Sequence, residues 1–266
     1  FMTGLWIWKK NGQNRHIRIS LAYVIMIILI WIPMARRKSL AFLDVGQGDC
    51  FVADTKSGAI IFDGGSSSED QVGRYRILPY MKYLGYQKIQ IAVISHMDID
   101  HYSGIKELLE MGKIKYLGLP EIPKDETMKK IIGIAKKRGT TIFYLSRGRQ
   151  ITTKDGSLKV LHPQKNSQME KNAASLVMQG KILGYRVLLT GDVEKEGEEE
   201  LLSEELERAD ILKAAHHGSK NSTSNEFLQK VQPKQTVISC GKQNRYGHPH
   251  LETIHRLQTY HTKIYR

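Results

Sequence analysis

Cysteine is scarce in this chain: Cys50 and Cys240 are the two present among 266 residues. Both sit in apolar, strand-like stretches, CFVAD and TVISCG, and neither has the CxxC spacing of a zinc or redox motif, so both read as buried free thiols that say nothing of compartment. No internal repeat of fixed period and no low-complexity tract is present, and 41% hydrophobic residues supply a sizeable core, which excludes a disordered chain. Aromatic residues, at 8%, give no strong stacking signal for nucleic acid. Acidic residues are absent before residue 39, where Lys9, Lys10, Arg15, Arg18, Arg36, Arg37 and Lys38 account for seven of the 40 basic residues. The formal charge of +13 therefore falls to 33 basic against 27 acidic residues, or +6, over the rest, a mildly basic balance that suits an anionic substrate without specifying one.

Charge is also missing from Ile19 to Ala35, and Leu21 to Ile32 is apolar apart from a tyrosine hydroxyl. Roughly 17 helical residues cover about 25 Å, a little short of the ~30 Å hydrocarbon core of a bilayer. Tyr23 and Trp31 near its ends, bracketed by arginines, fit interfacial anchoring, so a membrane helix over residues 19–35 is expected. The alternatives are a signal peptide, for which Pro33-Met34-Ala35 is a poor cleavage site, and a buried core helix, which the flanking cations disfavour. Cations on both sides leave the helix unoriented. The opening Phe1 and the apolar GLWIW read as the cut end of a longer membrane region, giving a division into residues 1–38 and 39–266.

After Lys38 the pattern changes to short β-branched runs separated by Gly, Asp and Asn. SLAFLDV, CFVADT, AIIFDGG, IQIAVIS, LKVLHP, SLVMQGK, YRVLLTGD, ILKAAHH and TVISCG predict nine strands. Lys154-Asp155-Gly156 predicts a hairpin turn. Residues 125–138 predict a helix burying Met128, Ile131, Ile132 and Ala135 and stopping at Gly139, and residues 195–208 an acidic helix with Leu201, Leu202 and Leu206 inward. Two sheets between layers of helices are the expected α/β arrangement.

The chemistry concentrates in Ser95-His96-Met97-Asp98-Ile99-Asp100-His101-Tyr102-Ser103-Gly104, at the exit of the strand IQIAVI. A helix-capping loop explains one Asp, but not two imidazoles and two carboxylates within six residues, which are a dense supply of N and O ligands. Two more strand ends follow, Leu188-Leu189-Thr190-Gly191-Asp192 and Ala215-His216-His217-Gly218-Ser219. Each is weak alone; in this order they reinforce one another.

HxDxDH resembles the HxHxDH signature of the metallo-β-lactamase superfamily, with Asp98 where many members have histidine. The resemblance implies an αββα four-layer sandwich preceded here by the hydrophobic helix, with His96 and Asp98 on one metal, Asp100 and His101 on its neighbour, Asp192 bridging them, and a ligand from His216 or His217. The whole set, with Asp44-Val45-Gly46-Gln47-Gly48-Asp49, Ile61-Phe62-Asp63-Gly64-Gly65, NAASLV from Asn172, HHGSKNS and Tyr246-Gly247-His248-Pro249, is similar to the C-terminal domain of ComEC-type DNA internalisation proteins. The third histidine that many superfamily members place on a middle strand is absent, with Asn172 and Ser175 near its place, and the chain stops where relatives are expected to run on.

The expectation is therefore a dinuclear hydrolase of phosphodiesters, a nuclease acting on a DNA strand, single-stranded by preference, during bacterial transformation. It would sit at the membrane with its hydrolase domain extracytoplasmic, beside other parts of an uptake channel. The extra carboxylate favours Mn²⁺, with Zn²⁺ as the other option. Asp100, His248 as a leaving-group or phosphate contact, and Lys213 as a phosphate contact are the catalytic candidates. A small-molecule phosphodiesterase of the same fold and a non-catalytic DNA-guiding module are the alternatives, the latter resting on Tyr144, Arg147, Arg149, Arg245 and Tyr246. His162 reads as a turn residue, His16, His250, His255 and His261 as surface or partly packed, and Asp63 either as positioning the HxDxDH loop or as ending a strand.

Overall fold

The computed structural model describes residues 15, 17–27, 38–169, 172–204 and 206–266. The chain divides into two units, Phe1–Arg37 and Lys38–Arg266. In the first, residues 17–27 are helical (α1) and exposed. Residues 28–35 of the expected span lie outside the described residues, and among the described ones no helix is long and apolar enough to cross a membrane.

The second unit is built on two sheets. The first has the order β1 (Leu40–Phe42), β2 (Phe51–Thr55), β3 (Gly58–Phe62), β4 (Ile89–Val93), β5 (Ile114–Pro120), β6 (Thr141–Leu145). Its first three strands are antiparallel and β3 to β6 parallel. The second runs β13 (Lys263–Tyr265), β12 (Gln235–Val237), β11 (Ile211–Lys213), β10 (Tyr185–Leu189), β9 (Val177–Ile182), β8 (Gly156–His162), β7 (Gln150–Thr153). In it β10 to β13 are parallel and β7 to β10 antiparallel.

Side-chain alternation along each strand sorts residues into three apolar layers. On β2 and β3, Val52 and Ile61 face outward against α2 (Leu78–Tyr83), α3 (Ile99–Glu110) and α4 (Glu126–Lys137), joining Met81, Ile105, Leu108, Met128 and Ile131. Phe51, Ala53, Ile60 and Phe62 face inward and meet Val160, Met178, Val187 and Leu189 of the second sheet. Leu188 and Leu212 face the far side, against α5 (Lys195–Leu202), α6 (Asn225–Val231) and α7 (Leu251–Thr259), with Leu201, Phe227, Leu228 and Leu257. The product is the αββα sandwich that the strand and helix pattern predicts.

All nine predicted runs contain a strand, and β5, β6, β7 and β13 are additional. β6 and β13 show mostly half-buried or exposed side chains without clean alternation. β5 is interrupted by Gly118, where a side chain would press on Phe143 at 2.9 Å. The helix predicted at 125–138 is α4, capped by Asp125, whose carboxylate accepts from the Met128 N–H at 2.7 Å. The acidic helix ends at Leu202 rather than 208, with Leu206 packed against the third layer from a non-helical segment. Asp155 lies in the β7–β8 turn as predicted and also accepts from the Lys56 N–H of the β2–β3 turn.

Candidate metal centre

The C-terminal ends of parallel strands converge on one place, as is usual for sites in such sheets. β3 ends at Asp63, β4 at Ser95 and His96, β10 at Asp192 and β11 at His216 and His217. Close backbone approach locks three loops together. The Asp49 N–H donates to the Asp100 carbonyl at 3.0 Å, and a side chain at Gly65 would lie 2.6 Å from the backbone of Asp100 and His101. Only glycine fits there.

His101 is fully buried, and its Nδ1 faces Asp63 Oδ2 at 3.0 Å. The other oxygen of Asp63 accepts from the Ser95 N–H at 2.7 Å, so one carboxylate fixes both the strand exit and the imidazole. Asp63 thus positions the HxDxDH segment. His101 Nε2 is turned toward Asp192 Oδ2 at 3.2 Å. His217 Nε2 lies 3.3 Å from that same oxygen and 3.3 Å from Asp100 Oδ2, while its Nδ1 donates to the Ser239 carbonyl at 2.8 Å. His216 and His217 both have left-handed backbone, at φ 47° and 51°. Two such residues in succession are strained by about 1–2 kcal/mol each, strain of the kind found at functional sites.

Asp49, His101, Asp192 and His217 are buried ligand types whose donor atoms come within 4.8 Å of one another. Within this group Asp49 addresses the Nδ1 sides of His101 and His217, at 3.8 and 3.6 Å, and its other partner is Lys213 Nζ at 2.5 Å. Those Nδ1 atoms already have Asp63 and Ser239 as partners. The open donor set is therefore His101 Nε2, His217 Nε2, Asp192 and Asp100, with Asp49 and Lys213 behind it. The buried His96 Nε2, His101 Nε2, His217 Nε2 and Asp192 Oδ1 lack a hydrogen-bond partner among the described residues. Unpaired buried imidazole and carboxylate atoms aimed at one point are costly unless a cation sits there, and their N and O character fits a divalent ion.

Electrostatics point the same way. Burial pushes the Asp100 carboxyl up, but the His217 imidazole 3.3 Å away and the charges of His101 and His217 outweigh it and hold it at about 2. Burial opposes protonation of His217, yet Asp192 and Asp49 draw it up to about 10. The carboxylates demand positive charge at this point, and protonated imidazoles stand in for a cation.

The second half of the predicted ligand set is leaner. His96 is buried, with Nδ1 3.0 Å from Ser95 Oγ and Nε2 3.6 Å from Asp98 Oδ2; Asp98 itself is 38% exposed. Ser175, near the place of the absent third histidine, accepts from the Asp192 N–H at 3.3 Å. His216 stands apart from the four-donor group, with Nδ1 2.9 Å from Glu194 and Nε2 3.8 Å from Asp192. His248 packs edge-on to His216, with ring centres 5.4 Å apart, and burial together with the neighbouring histidines lowers it to about 4. Tyr246 stacks on His248 at 5.7 Å, and the Arg245 guanidinium lies over the Tyr246 ring at 4.9 Å. Lys213 is buried in its contact with Asp49, away from solvent. Arg147 is taken up by Glu200 and Glu204 at 2.8 Å each, and Lys124 lies over the Tyr144 ring. His162, at the end of β8 rather than in a turn, is buried; its Nε2 donates to the Ala173 carbonyl at 2.6 Å and its Nδ1 lies 3.2 Å from Glu200. A cleft of about 1350 Å³, lined by Asn172, Glu194, Glu198, Lys220, Ser224 and Arg256 among others, begins at the Glu194 that His216 contacts.

Sequence reasoning assigned no role to Asp49, Glu194 or Ser239. Asp49 carried a signal, a carboxylate directly before the apolar run Cys50 to Ala53, where a buried charge needs a partner. Ser239 acts through its carbonyl, which no sequence pattern reveals.

The metallo-β-lactamase superfamily profile matches residues 43–242. Among curated proteins the chain is 34% identical to ComE operon protein 3 of Bacillus subtilis, over 91% of this chain and 33% of that one. It is 27% identical to Recombination protein 2 of Haemophilus influenzae, over 96% and 31%, and 29% identical to Competence protein ComA of Neisseria gonorrhoeae, over 84% and 30%. The chain thus spans about a third of the length of these relatives. Among solved structures it resembles the metallo-β-lactamase fold protein YhfI of Bacillus subtilis, at TM-score 0.57 and 12% identity over 85% of this chain and 95% of that one. It also resembles CmlA, a diiron β-hydroxylase of Streptomyces venezuelae, at TM-score 0.53 and 11% identity over 87% and 53%. The profile covers most of the chain, and the chain belongs to the metallo-β-lactamase superfamily.

Proposed function

We propose that the Lys38–Arg266 unit is a divalent-metal-dependent phosphodiester hydrolase that cleaves DNA during uptake by competent bacteria. The observation that carries the chemistry is the convergence of the buried His101, Asp192 and His217, each with an unpaired ring nitrogen or carboxylate oxygen, and of Asp100 at the rim. The competence names of the relatives carry the biological setting.

Asp100, His101, Asp192 and His217 would hold one ion, and His96 and Asp98, with Asp192 shared, a second. Bound there, such ions polarise a phosphoryl oxygen and make hydroxide available near neutral pH. The chain's own residues do the rest. Asp63 and Ser239 fix the two imidazoles through Nδ1, so that both present Nε2. Lys213 balances Asp49 beneath them rather than meeting substrate. His248, beside His216 and stacked on Tyr246, is placed to contact the phosphate or the departing oxygen, and Tyr246 with Arg245 offers an exposed stacking and cationic surface for a nucleotide. The oxygen-rich donor set favours Mn²⁺ over Zn²⁺.

A labelled single-stranded or duplex oligonucleotide, incubated with the purified chain and Mn²⁺, Zn²⁺, Mg²⁺ or chelator, tests this directly. Metal-dependent cleavage whose KM rises steeply with salt supports a nuclease, because contacts to several phosphates release counterions. Turnover of a small phosphodiester with no cleavage of DNA would favour the small-molecule reading, and binding without turnover of either would favour a guiding module.

A further inference from the structure

We propose that the end of the Lys38–Arg266 unit opposite the metal centre is a docking face for an anionic lipid surface. Strand direction fixes where that end is. The ligands occupy the C-terminal ends of the parallel strands, so residues at the N-terminal ends lie about 17 Å away, the length of five extended residues. Lys88 precedes β4, Lys113 and Lys115 flank the first residue of β5, and Lys136, Lys137 and Arg138 close α4 before β6. All but the half-buried Lys113 are exposed. None of the six forms an ion pair among the described residues, whereas three acids at this end are already partnered: Glu110 with Lys106 at 3.2 Å, Asp155 with Lys56 at 3.7 Å, Asp210 with Lys234 at 2.8 Å. Tyr83, the last residue of α2, and Tyr185, the first of β10, are 74% and 51% exposed at the same end. Exposed tyrosines among unpaired lysines have the composition of a membrane–water interface.

A nucleic-acid strand would meet the same charge, but two observations favour lipid. The chain joins the unit here: Lys38 Nζ contacts Asp54 at 2.9 Å and Tyr86, and the Ser39 carbonyl accepts from the Asp54 N–H at 2.8 Å, at the end of β2. The residues just before are Arg36, Arg37 and the uncharged run 19–35, so a bilayer that took up this run would be tethered within a few residues of the face. The metal centre also lies at the far end of the strands, where a strand bound to these lysines would not reach it. In preferring lipid to nucleic acid the inference rests in part on the phosphodiesterase reading, but lipid binding is read without any hydrolysis assay, so the two can fail separately.

The test is hydrogen exchange on the full chain, reconstituted in vesicles of phosphatidylcholine alone or mixed with phosphatidylglycerol. Exchange in residues 84–88, 136–140 and 183–186 should slow by about tenfold or more in the anionic vesicles only, and high salt should reverse it. Replacing the six cations by Gln should abolish that protection, while Lys195→Gln with Lys220→Gln, at the metal-centre end, should leave it intact. Metal content equal to wild type shows that each variant is folded. Equal exchange in both vesicle types, or protection of these segments by an oligonucleotide and not by anionic lipid, overturns the proposal.

Discussion

Removing the Asp192 carboxylate takes away the oxygen that His101 and His217 face at 3.2 and 3.3 Å, and with it the group best placed to be shared between two ions. Asp192→Ala is expected to lower hydrolysis by about a hundredfold or more and to reduce bound metal, measured by initial rates and metal analysis in parallel. Asp155→Ala, in the β7–β8 turn, serves as the control and should stay within about twofold of wild type, since it touches no part of the centre. The proposed ligand role of Asp98 is tested through metal choice: Asp98→His would put an imidazole in place of a carboxylate beside His96, so the rate optimum should move from Mn²⁺ toward Zn²⁺. Zinc preference in the wild type, unchanged by that substitution, would show that Asp98 is not a ligand. Lys213 makes a different kind of contribution. Lys213→Ala leaves Asp49 charged and buried without its cation, which costs about 3–5 kcal/mol, and a thermal melt should show a large drop in midpoint. A phosphate-contact role would instead raise KM and spare stability.

At the scale of elements, the base of the second sheet is held by Asp210. Its carboxylate accepts from the Arg186 N–H at 2.9 Å and pairs with Lys234 at 2.8 Å, tying the starts of β10, β11 and β12 together. The hydrogen bond from Lys234 and the one from the Arg186 backbone hold the Asp210 carboxyl well below the usual carboxylate range. A carboxyl whose folded pKa is depressed stabilises the fold above its unfolded pKa, about 3.9, and loses that contribution as pH falls toward the folded value. Wild type should therefore melt above Asp210→Asn at neutral pH, and the gap should narrow steadily below about pH 4. A gap independent of pH would mean that Asp210 acts through shape and not charge. The ends of other elements follow their sequence signals closely, as α4 does with Asp125 at its start and Gly139 at its end. α3 does not: it begins inside the HxDxDH motif, where the ligand pattern masks the helical one.

For the whole molecule, the apolar run 19–35 makes a simple prediction about partitioning. The full chain should enter the detergent phase in a two-phase separation, and a chain starting at Ser39 should stay in the aqueous phase. Recovery of both in water would remove the membrane reading. The sequence by itself determined the layered α/β class, because a period of two in runs such as CFVADT and AIIFDGG can bury both faces only between a second sheet and helices. It also pointed to the strand ends whose histidines and aspartates converge, since HxDxDH, TGD and HHG each follow an apolar run closely. Strands β6 and β13 escaped it because at the sheet edges their side chains are mostly exposed or half-buried, without the continuous apolar run that burial on both faces imposes. Only the tertiary structure tells His216 and His217 apart: adjacent in sequence and alike in backbone, they differ in that the Ser239 carbonyl beyond β12 holds one imidazole and Glu194 the other. It alone placed Asp49 and Lys213 beneath the centre, because the partners of a buried charge come from segments more than a hundred residues apart, and local pattern carries no information about contacts at that distance.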